Sequence, residues 1–233
     1  MNTTTMRLRL LTSAALTLLA ARALDAQQAP DLAPYLIADR AAEIALARSA
    51  APGNVSDSAT VLVLERKGFV QAARGRNGFT CLVLRSFTAP TNDPTFWNPK
   101  VVAPSCFNAP AVGTVLAPIL KRVDWIIAGV PLADVDARTE RGYASHTFPA
   151  PAAGAMAYMT SPRQHLVDSD PHWLPHLMFF YDRVTPGSTF GAAGMNAPII
   201  NGSAGDPHAP VLALYIPVRQ WSDGSPAPVV ASH

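Results

Sequence analysis

Residues 165–176 hold three histidines (His165, His172 and His176) and two aspartates (Asp168 and Asp170) directly before an apolar run. Imidazole is the side chain whose ordinary pKa lies nearest neutrality, and a carboxylate beside it can orient it or share its proton. The chemistry such a cluster offers is acid–base catalysis, or metal binding at the mouth of a pocket. The spacing argues partly against the metal reading. His172 and His176 stand four apart, but Pro171 and Pro175 exclude the helix that would put them on one face. In an extended chain they would lie about 13 Å apart, too far to share an ion. The cluster is therefore read with no metal ligands. His172 and His176 are the catalytic candidates, with Asp168 and Asp170 as their carboxylate partners. His176 opens an apolar strand and His172 sits in a Pro-bracketed turn, so both should be held more rigidly than His165. The competing reading is structural, with these side chains satisfying loop backbone groups.

Aromatic residues offer a second kind of site. Phe96–Trp97–Asn98–Pro99–Lys100 and Gln220–Trp221–Ser222–Asp223–Gly224 each place an indole in a polar turn. Each Trp either plugs the end of a sheet or forms a stacking wall for a ring-bearing ligand. A pocket walled by the 86–110 segment and by the strand carrying Phe179 would use Trp97, Trp173, Phe179 and Tyr181 as ligand contacts. Other chemistry is weaker. Met156, Met159 and Met178 lie on expected strands and read as core rather than as copper ligands. No Gly-x-Ser-x-Gly elbow occurs, and Gly191–Ala192–Ala193–Gly194 is too degenerate for a phosphate cradle. No cofactor is identifiable from these motifs.

The elements that must position these residues follow a leader. Arg7 and Arg9 precede an apolar stretch from Leu10 to Ala20, and small residues lead to Asp25–Ala26. That is the layout of a secretory signal over residues 1–26. The apolar stretch is shorter than the roughly 20 residues a bilayer span needs. Residues 27–233 then form one exported domain, periplasmic or extracellular. Beyond Ala26 stand 15 of the 18 Lys+Arg and 15 of the 16 Asp+Glu, so the mature chain is formally neutral. Neutrality and the absence of a basic run argue against nucleic acid as a partner. No later apolar stretch approaches spanning length, so a soluble mature protein is expected. The 22 prolines all follow the leader and argue against a helical bundle. The two cysteines, Cys81 and Cys106, read as a disulfide in an oxidising compartment. Closing that loop would contribute about 3 kcal/mol in the entropic description.

Local pattern gives the order of elements. Asp39 to Ala50 is an Ala-rich helix with Asp39 as its cap, ended by Pro52–Gly53–Asn54. Residues 61–66, 69–73 and 79–85 are β-type runs separated by Lys67–Gly68 and by Asn77–Gly78, which predicts a three-stranded antiparallel meander. Residues 86–110 carry five prolines and read as a long loop. Two helices follow, over 111–129 with Pro118 bending it, and over 131–143 with Pro131 in its first turn. Strands are expected at 155–160, 176–181 and 211–216, with a short helix started by Ser161 and Pro162 after the first of them, and a loop over 187–210. The class is α+β: one mainly antiparallel sheet of about six strands with helices on one face. The order is similar to PAS-like and profilin-like sheets, a likeness of topology that carries no function.

At Asn77–Gly78–Phe79–Thr80–Cys81–Leu82–Val83, Phe96–Trp97–Asn98–Pro99–Lys100 and His172–Trp173–Leu174–Pro175–His176–Leu177–Met178–Phe179–Phe180, the chain resembles a group of secreted bacterial proteins of unknown function. The resemblance covers most of the mature chain. It implies an exported bacterial setting and assigns no activity, substrate or catalytic residue. Three function classes follow. The first is binding of a small molecule. The second is hydrolytic or metal-dependent catalysis at residues 165–176. The third is a structural or partner-binding role in the envelope.

Overall fold

Helix α1 (Arg40–Arg48) starts where Asp39 accepts hydrogen bonds from the Ala41 and Ala42 N–H groups. It lies on a sheet that the computed structural model builds from eight strands, in the order β2-β1-β3-β4-β5-β6-β8-β7. The structure describes residues 31–170, 173–195, 197–202 and 206–228. The leader and His172 fall outside the described residues. The strands are β1 (Thr60–Glu65), β2 (Gly68–Ala73), β3 (Thr80–Arg85), β4 (Val102–Phe107), β5 (Met156–Met159), β6 (His176–Asp182), β7 (Ile200–Asn201) and β8 (Val211–Pro217). The fold is α+β with a single sheet, and among the described residues no helix is long and apolar enough to cross a membrane.

Three features differ from the sequence reading. The first is the meander. β1 and β2 form the expected antiparallel hairpin, with Glu65 opposite Gly68, but β3 runs parallel to β1, with Thr60 opposite Thr80 and Val61 opposite Cys81. Asn77–Gly78 redirects the chain instead of closing a second hairpin. Asn77 donates through Nδ2 to the Val55 carbonyl and accepts from the Phe79 N–H, and Gly78 takes φ +79°. The returning chain crosses the start of β1 so closely that a Cβ on Gly75 would lie 2.1 Å from the Thr60 nitrogen and 2.3 Å from the Ala59 carbonyl carbon. Backbone cannot swing away as a side chain can. Gly75→Ala is therefore expected to cost about 2 kcal/mol, read as a lower urea midpoint with unchanged slope.

The second is β4, inside what reads as a loop. Pro104 lies within it, opposite Val83 of β3. The proline is tolerated because β4 has a neighbour on its other side only at its two ends. Val102 bridges His165, while Cys106 and Phe107 pair with β5. This strand places Cys106 directly opposite Cys81, where the two form the expected disulfide, both residues fully buried.

The third is the helices, which cover both faces. β3 is buried along its whole length, so it needs cover on each side. Val61, Cys81, Val83 and Cys106 pack against Ala47 of α1. Leu82, Leu84 and Phe107 pack on the other face, beneath Val115 and Leu116. The helical stretch there opens with a turn at Ala109–Ala111 and widens into a π-type turn over Val112–Leu116. It continues as α2 (Ala117–Ile127). Pro118 sits in the first turn of α2, and the wide turn before it absorbs the missing donor, with the Ala117 N–H reaching back to the Val112 carbonyl. Helix α3 (Leu132–Ala144) packs on α2 through a cluster that includes Val123, Ile126 and Val135. The short helix expected after Ser161 does not form. Ser161 accepts from the Arg163 N–H in a local turn, and the chain proceeds through isolated bridges Val102 to His165 and Val167 to Asp170.

A buried ion pair locks α1 to the sheet. Glu43 and Arg85 are 1% and 2% exposed, with Arg85 Nη2 2.9 Å from Glu43 Oε1. Glu43 also accepts from the Leu64 N–H at 3.0 Å, and Arg85 donates to the Tyr35 carbonyl at 2.8 Å and to the Val83 carbonyl.

Candidate functional site

A cavity of about 190 Å³ lies between α2, α3 and the far half of the sheet. Strand alternation builds its floor. Phe180 of β6 and Val211, Ala213 and Tyr215 of β8 turn the same face toward the helices. Helical spacing builds its roof. Val115, Pro118, Ile119 and Arg122 form one stripe of the α2 stretch, and Thr139 and Tyr143, four apart, one stripe of α3. Thr88 and Pro90 close one side, and Gly202, Asp206 and Ala209 close another. Gly202 is a fixed choice here, since a Cβ would meet the Tyr215 ring at 2.4 Å.

Most of this lining is apolar, but one end is not. Arg122 Nη1 lies 2.8 Å from Asp206 Oδ2, and the two side chains are 8% and 11% exposed. Arg122 also donates through Nη2 to the Ala89 carbonyl at 3.3 Å, and Asp206 Oδ1 accepts from the His208 N–H at 2.9 Å. The contact between Arg122 and Asp206 is close but off the hydrogen-bond axis. Asp206 Oδ2 and Arg122 Nε are both buried with no hydrogen bond. Buried polar atoms are normally satisfied, so these two are open to a hydrogen-bonding group that enters the cavity, water included. Tyr143 adds a phenol whose pKa burial, and then the Asp206 carboxylate, push up to about 12, so it stays a neutral donor.

Outside the cavity the same loop is tied to α3. His208 Nδ1 is 2.7 Å from Glu140 Oε1, its Nε2 is 3.5 Å from Asp136, and Thr91 donates to Asp136 at 2.8 Å. The hydrogen bond to Glu140, ahead of the charges of Asp136 and Asp206, raises the His208 pKa above its ordinary value. A raised pKa means stability that is present below pH 6.5 and lost as pH climbs through the folded value. Because Glu140 is mostly exposed, the contribution is below about 1 kcal/mol. His208→Gln should abolish this alkaline loss in urea titrations at pH 6 and pH 9 while leaving acid behaviour unchanged.

The structure divides the histidine–aspartate cluster. His165 Nε2 lies 2.9 Å from Asp168 Oδ1, and Lys100 Nζ lies 3.7 Å from Asp168 Oδ2. The hydrogen bond from His165, more than Lys100, holds the exposed Asp168 carboxyl below its usual range. Asp170 is exposed at its bridge to Val167, and its carbonyl accepts from the Trp173 N–H at 3.3 Å. His176 is 2% exposed and donates through Nδ1 to the Leu174 carbonyl at 2.8 Å. Its ring packs on Trp173 at 4.6 Å and on Tyr215 at 5.2 Å. Desolvation drives its pKa down to about 4, against the backbone hydrogen bond. The carboxylate contact thus belongs to His165, and His176 is a neutral ring inside an aromatic stack.

The four candidate ligand-contact aromatics lie off the cavity wall. Trp97 packs edge-on against Phe96 at 4.8 Å, and its carbonyl accepts from the Tyr35 hydroxyl. Phe179 and Tyr181 alternate with Phe180 and face the other side of the sheet, where Tyr181 meets Phe190 at 4.5 Å. Trp173 reaches the cavity only through Tyr215, 5.8 Å away. Arg122, Tyr143 and Asp206 carry no motif. The one sequence signal is Arg122 itself, a charge set on the stripe that also carries Val115 and Ile119. Among the described residues no group of three or more His, Cys, Asp or Glu side chains is placed to hold a metal ion. Compared with protein-family models, with curated proteins and with solved structures, the chain matches none.

Proposed function

We propose that this protein is exported and binds a small ligand in the cavity between α2, α3 and the sheet. The observation that carries the reading is an apolar space of about 190 Å³ ending on a buried ion pair with unspent hydrogen-bonding atoms. Apolar walls with a few convergent polar groups are the usual make-up of a ligand site. An apolar cavity of roughly 150 Å³ is enough to hold benzene, so this one suits a fragment of roughly six to ten heavy atoms. The buried disulfide and the leader at 1–26 support export. The test is thermal unfolding against a fragment library at millimolar concentration, beside Ala213→Leu, which fills the cavity from β8. A ligand at about 100 times its Kd stabilises by about 2.7 kcal/mol. Binding fragments should lose their effect on Ala213→Leu. A library that shifts neither protein, or shifts both alike, refutes the site.

A hydrolytic role in the 165–176 segment is the second reading, favoured by the 2.9 Å contact that pairs Asp168 with His165 in place of the buried His176. Turnover of an ester panel that survives His165→Gln, Asp168→Asn and His172→Gln alike would end it.

A further inference from the structure

The polar end of the cavity has a chemistry of its own. We infer that it selects a neutral, planar head carrying a hydrogen-bond acceptor beside a donor, the chemistry of a carboxamide or lactam, on a small apolar body. This rests on the ligand-binding reading above and narrows it to a class.

Arg122 and Asp206 are a guanidinium and a carboxylate at 2.8 Å, each about nine-tenths buried, so together they are neutral. A carboxylate head seated on Arg122 would bring a second negative charge against Asp206. An ammonium or amidinium head seated on Asp206 would bring a second positive charge against Arg122. In a site this shielded from water, either excess charge is expensive. A neutral head avoids both. Arg122 Nε offers an N–H with no acceptor, and Asp206 Oδ2, ion-paired with Arg122 Nη1, keeps lone pairs that no hydrogen bond uses. An amide carbonyl can accept from the first while its N–H donates to the second. The Tyr143 hydroxyl on the same wall supplies a further neutral donor for the carbonyl. Arg183 is tied to the same loop, since its Nη2 donates to the Asp206 carbonyl at 2.7 Å. Apart from Thr88 and Thr139, the rest of the lining is apolar, including Val115, Ile119 and Phe180, which sets the apolar body.

Four probes separate the possibilities. Benzamide, benzoate and benzamidine share one size and shape but differ in charge, and toluene keeps the ring without the head. Each is titrated calorimetrically into the full exported protein at pH 7. Benzamide should bind at least about tenfold more tightly than the other three, the equivalent of 1.4 kcal/mol. Asp206→Asn should invert the ionic order. With its carboxylate neutralised, Arg122 is left as an unpaired cation and benzoate should overtake benzamide, a change that a merely structural pair would not produce. Equal binding of benzamide and toluene, or of benzamide and either ion, overturns head selection while the cavity stands as a ligand site. Failure of all four to bind overturns the head inference and counts against the cavity reading as well. The wild-type comparison decides by itself if Asp206→Asn does not fold.

Discussion

Glu43→Ala should lower the unfolding free energy by about 3–5 kcal/mol, the largest single-residue effect expected in this chain. Arg85 lies at the end of β3 with 2% of its surface exposed, and among the described residues Glu43 is its only carboxylate partner. Burial lowers the Arg85 pKa, and the charge of Glu43 raises it back toward its usual range. Removing Glu43 leaves a guanidinium in the core with two backbone carbonyls but no counter-charge, and it orphans the Leu64 N–H as well. Glu43→Gln keeps an acceptor for both and should fall between wild type and Glu43→Ala. The double variant Glu43→Met with Arg85→Met should recover much of the loss, because an apolar pair needs no counter-charge. Equilibrium urea unfolding of wild type, Glu43→Met, Arg85→Met and the double variant closes the cycle. Coupling near zero between the two positions would mean that water, not Glu43, compensates Arg85.

That ion pair shows where sequence reading stops. The periodicity of α1 marks Ile44 and Ala47 as its inner face, but nothing local announces that Glu43 turns inward too. Its partner stands 42 residues later, and charge pairs of that separation have no signature in one sequence. The same holds for Arg122 and Asp206, where one helix and one loop meet only after the sheet is built. Local chemistry was legible. The Asp39 cap, the hairpin at Lys67–Gly68, the strand at 176–181 and the pairing of Cys81 with Cys106 all follow from residue type and spacing. Direction was less so. The same Asn77–Gly78 that closes hairpins elsewhere here feeds a parallel strand, because Gly75 lets the chain pass across β1 without a clash. β4 was masked by Pro104, whose meaning depends on whether a neighbouring strand needs its missing N–H. The density of histidine and aspartate at 165–176 is real, but alternation sends His176 into the core while Asp168 stays at the surface.

The position of His176 sets how the protein responds to acid. In the unfolded chain its imidazole titrates at its ordinary value of 6.5, and in the fold at about 4. The folded value is depressed, so protonation favours unfolding. Stability from this group is complete above pH 6.5 and is lost as pH falls from 6.5 toward 4, at about 1.4 kcal/mol per pH unit. The total is about 3 kcal/mol, after which the native ring also protonates and the loss levels off. Carboxylates add their own acid loss, so the wild-type curve alone does not isolate the group. His176→Phe does. It keeps an aromatic ring against Trp173 and Tyr215 and removes the titration, at the cost of the hydrogen bond to the Leu174 carbonyl. That bond is worth about 1 kcal/mol and does not depend on pH in this range. The variant should therefore be less stable than wild type at pH 7 and more stable at pH 4, with the two curves crossing between. His208 acts in the other direction, losing stability as pH rises above 6.5, so these two groups together place the stability optimum near pH 6.5, with the His176 loss on the acid side and the His208 loss on the alkaline side. Curves for wild type and His176→Phe that run parallel from pH 7 to pH 4 would show that water reaches the ring, and that the aromatic stack of Trp173, His176 and Tyr215 is open enough to hold a charge.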